Sequence, residues 1–417
     1  MGNNLKVVIF SSSLHDSSTL LDTREALLNE LRSEHEVELI DSSEVENSLA
    51  GENLVVAFIA TGGTEEKFTQ KYGMLSNPLV ILSDSYHNSL AASLEISSWL
   101  TNKEIKHKHL NFPLLPSKKF CEEFKQEISA LMHIQSARYK LSKAVIGLVG
   151  GESSWLISSK VNIKSVSEKF GTKFLPLNIS ELEKLYNQEV DSDNNYDVLI
   201  KELIDKRDGD RSQKDITDAV KMYMALIKLI DNHNLNALTI KCFDLLSSCK
   251  TTSCLALSML NDRGVVSGCE GDVPSLWSML IAGTLCGTSS FMANPSSIEM
   301  EERSVDFAHC TAPVSLSKDF SLPSHYESKI GIGVAALLPL GKYTVFKCAG
   351  ENLDKYYAFE GEIVQNTSVV ERCRTQVKFI FKSDSDLDAF LNSHLGNHTI
   401  IIPGKHKKIL SEFFKLN

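Results

Sequence analysis

Short β-branched runs that alternate with amphipathic helical stretches constrain this chain more than any other feature. LKVVIFSSS is strand-like, STLLDTREALLNELRS places its apolar residues at helical spacing, and EVELIDSS is strand-like again. LVVAFIATGGTEE and PLVILSDSYHNSLAASLEISSWL repeat the scheme. Strands alternating with helices predict a parallel sheet covered on both faces. The segments SSS, ATGGTEE and SDSYHNS follow strands, on the edge where open α/β sheets bind ligands. TGGTEE also reads simply as a strand-to-helix turn with acids favoured at the helix start.

A helical stretch from about Lys118 to Ala144 leads into AVIGLVGGESSWLISS, the first strand and loop of a second α/β unit. KFLPLNISELEKLY continues that unit, and the polar DSDNNYD and DKRDGDRS read as surface connections. The helical DITDAVKMYMALIKLIDNHN then precedes a buried strand within ALTIKCFDLL. From about Ser290 the texture changes to short strands separated by Gly and polar turns, as in KYTVFKCAG, KYYAFEGEIV and TQVKFIFKS, closed by a helix KKILSEFFKL. The chain of 417 residues exceeds one ordinary core. We therefore expect an α/β protein of three domains: two Rossmann-like parallel-sheet domains, 1–142 and 143–290, followed by a β-rich domain, 291–417.

A net charge of −10 without a basic patch argues against nucleic-acid binding, which depends on neutralising phosphates. No run of about 18 apolar residues suggests a membrane span. MGNNLK lacks the charged and apolar regions of a secretory leader, and Lys6 stands where a myristoylation signal wants Ser or Thr. Nine cysteines, an odd number without CxxC spacing, suit free thiols in a reducing cytoplasm.

The chemically richest stretch is VVSGCEGDVPSLWSM, Val265–Met279. Two carboxylates, Glu270 and Asp272, follow a small apolar run and precede a helix opened by Pro274, with Gly287 as its stop. In an extended strand Glu270 and Asp272 share one face. A further strand ends at Asn294, before Pro295. Read as strand, helix and strand, the segment predicts a crossover with parallel strands, so Glu270 and Asn294 meet at one sheet edge. His309, at the end of SVDFAH, and His398, ahead of TIIIPG, are candidates to join them. A carboxylate, an amide oxygen and imidazoles form a mixed set suited to Mn²⁺ or another divalent cation. Each residue also has a structural account: Asp272 as a helix cap, Asn294–Pro295 as a turn, and the histidines as satisfied core residues. Spacing alone leaves both readings standing. Lys241, at a strand end, is a candidate for a substrate oxygen or a surface lysine. Trp155 and Ser153 are candidates to line a sugar pocket, and burial is the structural account of Trp155. Cys269 and Cys310 read as small core residues beside the proposed ligands.

The sequence IKCFDLL…SCLALSMLNDRGVVSGCEGDVPSLWSMLIAGTLCGTSSFMANP…FAHCTAP resembles the L-fucose isomerase and L-arabinose isomerase superfamily, in its short fucose isomerase-related branch. GNHTIIIPG, CRTQV and IGLVGGESSWLISS share that likeness, which runs from about residue 146 to the end. The resemblance implies a Mn²⁺-dependent aldose–ketose isomerase working on an open-chain sugar through an ene-diol, assembled as a homo-oligomeric trimer or hexamer. It implies Glu270 as metal ligand and base, Asn294 and His398 as further ligands, and His309 as a catalytic neighbour. Lys241, Trp155, Ser153 and Asp272 are the expected substrate-binding residues. Asn294 departs from the pattern, because the family carries an acid there. An amide cannot act as a base, and it makes the site one charge less negative. Three outcomes follow: Glu270 transfers the proton alone or with His309 or Asp272, the substrate is itself anionic, or the scaffold has become a sugar- or metabolite-binding protein.

Overall fold

A computed structural model describes residues 4–15, 17–188, 194–209, 211–393 and 395–417. The chain divides into two compact units, Met1–Lys140 with Ser411–Asn417, and Leu141–Leu410. The fold is two parallel-sheet α/β domains followed by a β-rich region, as the alternation of elements predicts.

The first unit is built on a parallel sheet of β1 (Asn4–Phe10), β2 (Glu36–Asp41), β3 (Leu54–Ile59), β4 (Leu79–Asp84) and β5 (His107–Phe112), in the order β2-β1-β3-β4-β5. Every residue of β3 and β4 is buried, which is why these runs are continuously apolar instead of alternating. The expected single helix after β1 is broken into Ser17–Asp22 and Glu25–Arg32. Arg24 at the break turns inward, and its Nε donates to Asp84 at 2.7 Å while an amino group donates to the Ala60 carbonyl at 2.8 Å. The C-terminal edge of this sheet is thus pinned by a buried ion pair.

In the second unit, β6 (Val145–Val149), β7 (Lys173–Leu177), β8 (Ala237–Ile240) and β9 (Val266–Gly268) form a parallel sheet in the order β7-β6-β8-β9. The β-rich region follows with β10 (Phe291–Glu299), β11 (Ser304–His309), β12 (Asp319–Ser321), β13 (Ala335–Leu337), β14 (Gly341–Ala349), β15 (Lys355–Asn366), β16 (Thr375–Phe381) and β17 (Thr399–Pro403). Six of these strands close into a barrel in the order β10-β11-β16-β15-β14-β17, and β12 pairs with β13. Closure leaves the barrel no free edge. Its interior is filled by Phe291, Val305, Phe307, Val345, Phe379 and Ile401, among others. Of the two polar connections, residues 191–193 of DSDNNYD and Asp210 of DKRDGDRS lie outside the described residues.

Two expectations are corrected. The strand after the helix Val273–Cys286 does not return to the sheet of β9. It forms a hairpin with β11 and pairs with β17, antiparallel on both sides. A short connection to the next strand favours that hairpin over a crossover. Nor does β10 stop at Asn294: it continues through Pro295 to Glu299, and the ladder slips between Pro295 and Ser297, where the missing N–H of proline is tolerated.

Candidate active site

Glu270 owes its position to a tight turn. The amide of Asp272 donates to the Cys269 carbonyl at 3.3 Å, and the residues between them, Glu270 and Gly271, have φ of +60° and +62°. Both central residues are therefore left-handed, as a type I′ turn requires. For a glutamate that conformation is strained, and strain of this kind concentrates at working sites. Gly271 is obligatory here, since a Cβ would stand 2.5 Å from the Gly151 carbonyl oxygen. The extended geometry expected for Glu270–Asp272 is replaced by a reversal that sends the two carboxylates to different tasks.

Asp272 caps the helix Val273–Cys286, accepting from the Ser275 amide at 2.9 Å. It is fully buried and also meets Nδ1 of His398 at 2.8 Å and Nζ of Lys347 at 3.3 Å. Ser275 Oγ donates to Asp272 at 2.7 Å and accepts from Lys347 at 2.5 Å. Burial raises the Asp272 carboxyl, but Lys347, His398 and the Ser275 amide more than offset this and hold it below the ordinary carboxylate range.

The barrel register supplies the remaining groups. Asn294 of β10 stands opposite Ala308, one residue before His309, and Ala293 stands opposite Thr399, one residue after His398. Asn294, His309 and His398 therefore occupy one rim of the barrel. The helix Val273–Cys286 packs on β14 and β17, and its N-terminus brings Glu270 to that rim. Glu270 Oε1 lies 3.7 Å from Nε2 of both His309 and His398. One donor atom from each of the three residues lies within 4.8 Å of the other two.

The two imidazoles differ. Burial lowers His398, but Asp272 and Glu270 reverse the effect and raise it to about 9. His309 is shifted down by burial, only partly countered by Glu270. Its Nδ1 meets the Thr311 hydroxyl at 3.0 Å, where His398 has a carboxylate. Burial likewise raises Glu270, yet the two histidines hold it below the usual range, so it stays ionised. His398 Nε2 is buried without a hydrogen-bond partner. Such an orphan demands a reason, and a ligand is one.

A cavity of about 970 Å³ opens beside this cluster, lined by Glu270, Asn294, Trp155, Phe243, Tyr326 and Arg372, among others. Trp155 is 46% exposed and directs Nε1 toward Glu270 Oε2 at 3.5 Å, so it is a wall residue and its structural account, burial, is not met. Lys241 pairs with Asp244 at 3.4 Å, and Ser153 is fully buried beneath the turn of Glu270. Neither Lys241, Ser153 nor Asp272 lines the cavity. Lys347, inside a strand with no sequence signal beyond a cation among apolar residues, and Arg372, beside the CRTQV motif, were not singled out by sequence. Among the described residues no helix is long and apolar enough to cross a membrane.

No family model matches the chain. It is 34% identical over 101 residues to a sulfoquinovose isomerase of Clostridium sp. (strain MSTE9), covering 24% of this chain and 23% of that protein. It is 22% identical over 268 residues to the sulfoquinovose isomerase of Alkalicoccus urumqiensis, covering 58% of each. A third match, to the sulfoquinovose isomerase of Priestia aryabhattai, is 27% identical over 143 residues, 33% of this chain and 32% of that protein. The chain thus spans from about a quarter to just over half the length of the curated relatives it matches.

Proposed function

We propose that this protein is a sugar isomerase that interconverts an aldose and a ketose with the help of a divalent cation, Mn²⁺ being the first candidate. The observation that carries the reading is the convergence of the buried His309 and His398 on Glu270, which lines the cavity, with the His398 Nε2 among them making no hydrogen bond. An oxygen and two imidazole nitrogens suit such a cation. The names of the matched relatives support sugar isomerisation and make sulfoquinovose the first sugar to assay. Glu270, His309 and His398 would hold the cation, which would supply Lewis-acid polarisation of the sugar carbonyl and so make the neighbouring C–H more acidic.

The chain's own residues carry the proton. Glu270 offers two different oxygens: Oε1 faces the imidazoles, and Oε2 faces the Trp155 indole. We assign Oε1 to the cation and Oε2 to the sugar, as the base that takes the C2 proton and returns it at C1. Trp155 presents an aromatic face on which apolar sugar C–H groups pack, and its N–H steadies Oε2. Asp272 fixes the His398 ring through Nδ1, leaving Nε2 directed at Glu270, and Lys347 balances the charge of Asp272. Three domains, 1–142, 143–290 and 291–417, a homo-oligomer of trimeric or hexameric order and a cytoplasmic setting complete the proposal. All nine cysteines are free, which supports that setting.

Isomerisation of a sugar panel with Mn²⁺ and after chelation tests the reading, and loss of turnover on chelation is expected. A second reading, a sugar-binding protein on the same scaffold, is favoured by Asn294 in the cavity wall. Asn294→Asp is expected to raise Mn²⁺ affinity by about an order of magnitude, since affinity follows the charge of the ligand set. Calorimetric titration checks this. Activity gained only in the variant selects the binding protein, and a fully active wild type removes it.

Cation affinity is also expected to depend on pH in one direction. Because Asp272 and Glu270 raise His398 to about 9, its proton must leave before Nε2 serves as a ligand. Glu270 is already ionised and His309 already neutral at neutral pH. Mn²⁺ affinity should therefore rise about tenfold per pH unit from 7 to 9 and then level off. The folding stability of the metal-free protein should move oppositely. A raised histidine stabilises fully below its unfolded value of about 6.5, and the benefit fades as pH climbs toward 9. Titrations and thermal melts at pH 6.5, 7.5 and 9 read both trends.

A further inference from the structure

Behind His309 lies a second group of ligand-type side chains that the isomerase chemistry does not use. Cys310 follows His309 at the end of β11, Cys254 begins the helix Cys254–Asp262, and His325 sits in the loop between β12 and β13. All three are buried, and one donor atom from each lies within 4.8 Å of the other two. The Cys254 and Cys310 sulfurs are 3.2 Å apart. Cys373, on the cavity wall, shares a hydrogen bond with Cys310. His325 Nδ1 lies 2.9 Å from Ser328 Oγ and 3.3 Å from the Ser328 amide, which donates to it, so the ring is held on that side by Ser328.

We propose that Cys254, Cys310 and His325 form a site for a soft or borderline divalent cation, of which Zn²⁺ is the type. Two thiolates neutralise a divalent ion, which removes the objection to burying charge there. Thiolate and imidazole together select such ions over Mg²⁺ or Ca²⁺. On binding, each thiol loses its proton to solvent and each sulfur bonds the ion, with no change of oxidation state. Tetrahedral geometry with bonds of about 2.3 Å separates the sulfurs by roughly 3.8 Å, so they must spread by about half an ångström. A disulfide would need them more than 1 Å closer, at about 2.05 Å. The ion would tie the end of β11 and the start of the helix Cys254–Asp262 to the loop carrying Tyr326 and Glu327, both of which line the cavity. The pair Cys242 and Cys269, 3.3 Å apart, belongs to no such three-residue group among the described residues.

Titration of the full chain with Co²⁺ under a phosphine reductant is the test. Wild type should develop a near-ultraviolet thiolate-to-cobalt absorption band that saturates at one ion per chain. Cys254→Ser should abolish the band, whereas Cys242→Ser and Glu270→Gln should keep it. His325→Gln, a milder change in a loop, should weaken Co²⁺ binding at least tenfold and keeps the test open if Cys254→Ser fails to fold. Absence of the band in wild type overturns the proposal. So does a band that persists in Cys254→Ser, disappears in Cys242→Ser, or binds Co²⁺ equally well in His325→Gln.

Discussion

Glu270→Gln is expected to lower isomerisation turnover by about a thousandfold at saturating Mn²⁺, within the range over which a positioned base contributes. The substitution keeps the shape of the side chain, and its amide oxygen still reaches the imidazole side of the site. What it removes is the ability to accept a proton at Oε2, the oxygen facing Trp155. Exchange of the C2 hydrogen with deuterated water, followed by NMR, should disappear together with turnover. Binding of a non-isomerisable polyol should change only a few-fold, since Asn294, Trp155 and the remaining walls stay in place. Turnover equal to wild type would remove Glu270 from the role of base.

Asp272→Ala should have the largest effect on stability. The carboxylate is fully buried and faces two cationic partners, Lys347 at 3.3 Å and His398 at 2.8 Å, besides capping a helix of 14 residues. Deleting one partner of a buried pair costs about 3–5 kcal/mol, because the remaining charge stays in a poor solvent. Loss of the cap adds about 1 kcal/mol. A urea midpoint measured at pH 7 should fall accordingly. Asp272→Asn combined with Lys347→Met keeps a capping side chain and removes both charges, so it should recover most of the loss. If the double variant is as unstable as Asp272→Ala, the ion pair is not the source of the effect.

The sequence made the parallel sheets legible because both faces of strands such as β3 and β4 are buried, which writes them as unbroken apolar runs. Glu270 and His398 could be singled out because each stands between small residues and an apolar element. The route that joins them was not legible. A proline after Asn294 suggested a strand end, whereas the bulge at Pro295/Ser297 lets β10 continue into a hairpin, and pairing with β17 then brings His398 to the rim. Long-range antiparallel register of this kind leaves no local trace. The inward turn of Asp272 was equally hidden, since it depends on two successive left-handed residues, only one of which is a glycine. Lys347 was invisible for the same reason: its partner lies 75 residues away.

The reversal at Glu270–Gly271 has a consequence for how this scaffold can change. Three consecutive residues hold the cavity-facing acid, the glycine pressed against Gly151 and the acid that anchors a helix, so no member can vary without disturbing the other two. Change of preference is thereby channelled to the other lining residues, among them Asn294, Glu371 and Arg372, which lie outside the reversal. Library design aimed at altered preference should randomise those residues and leave the reversal untouched.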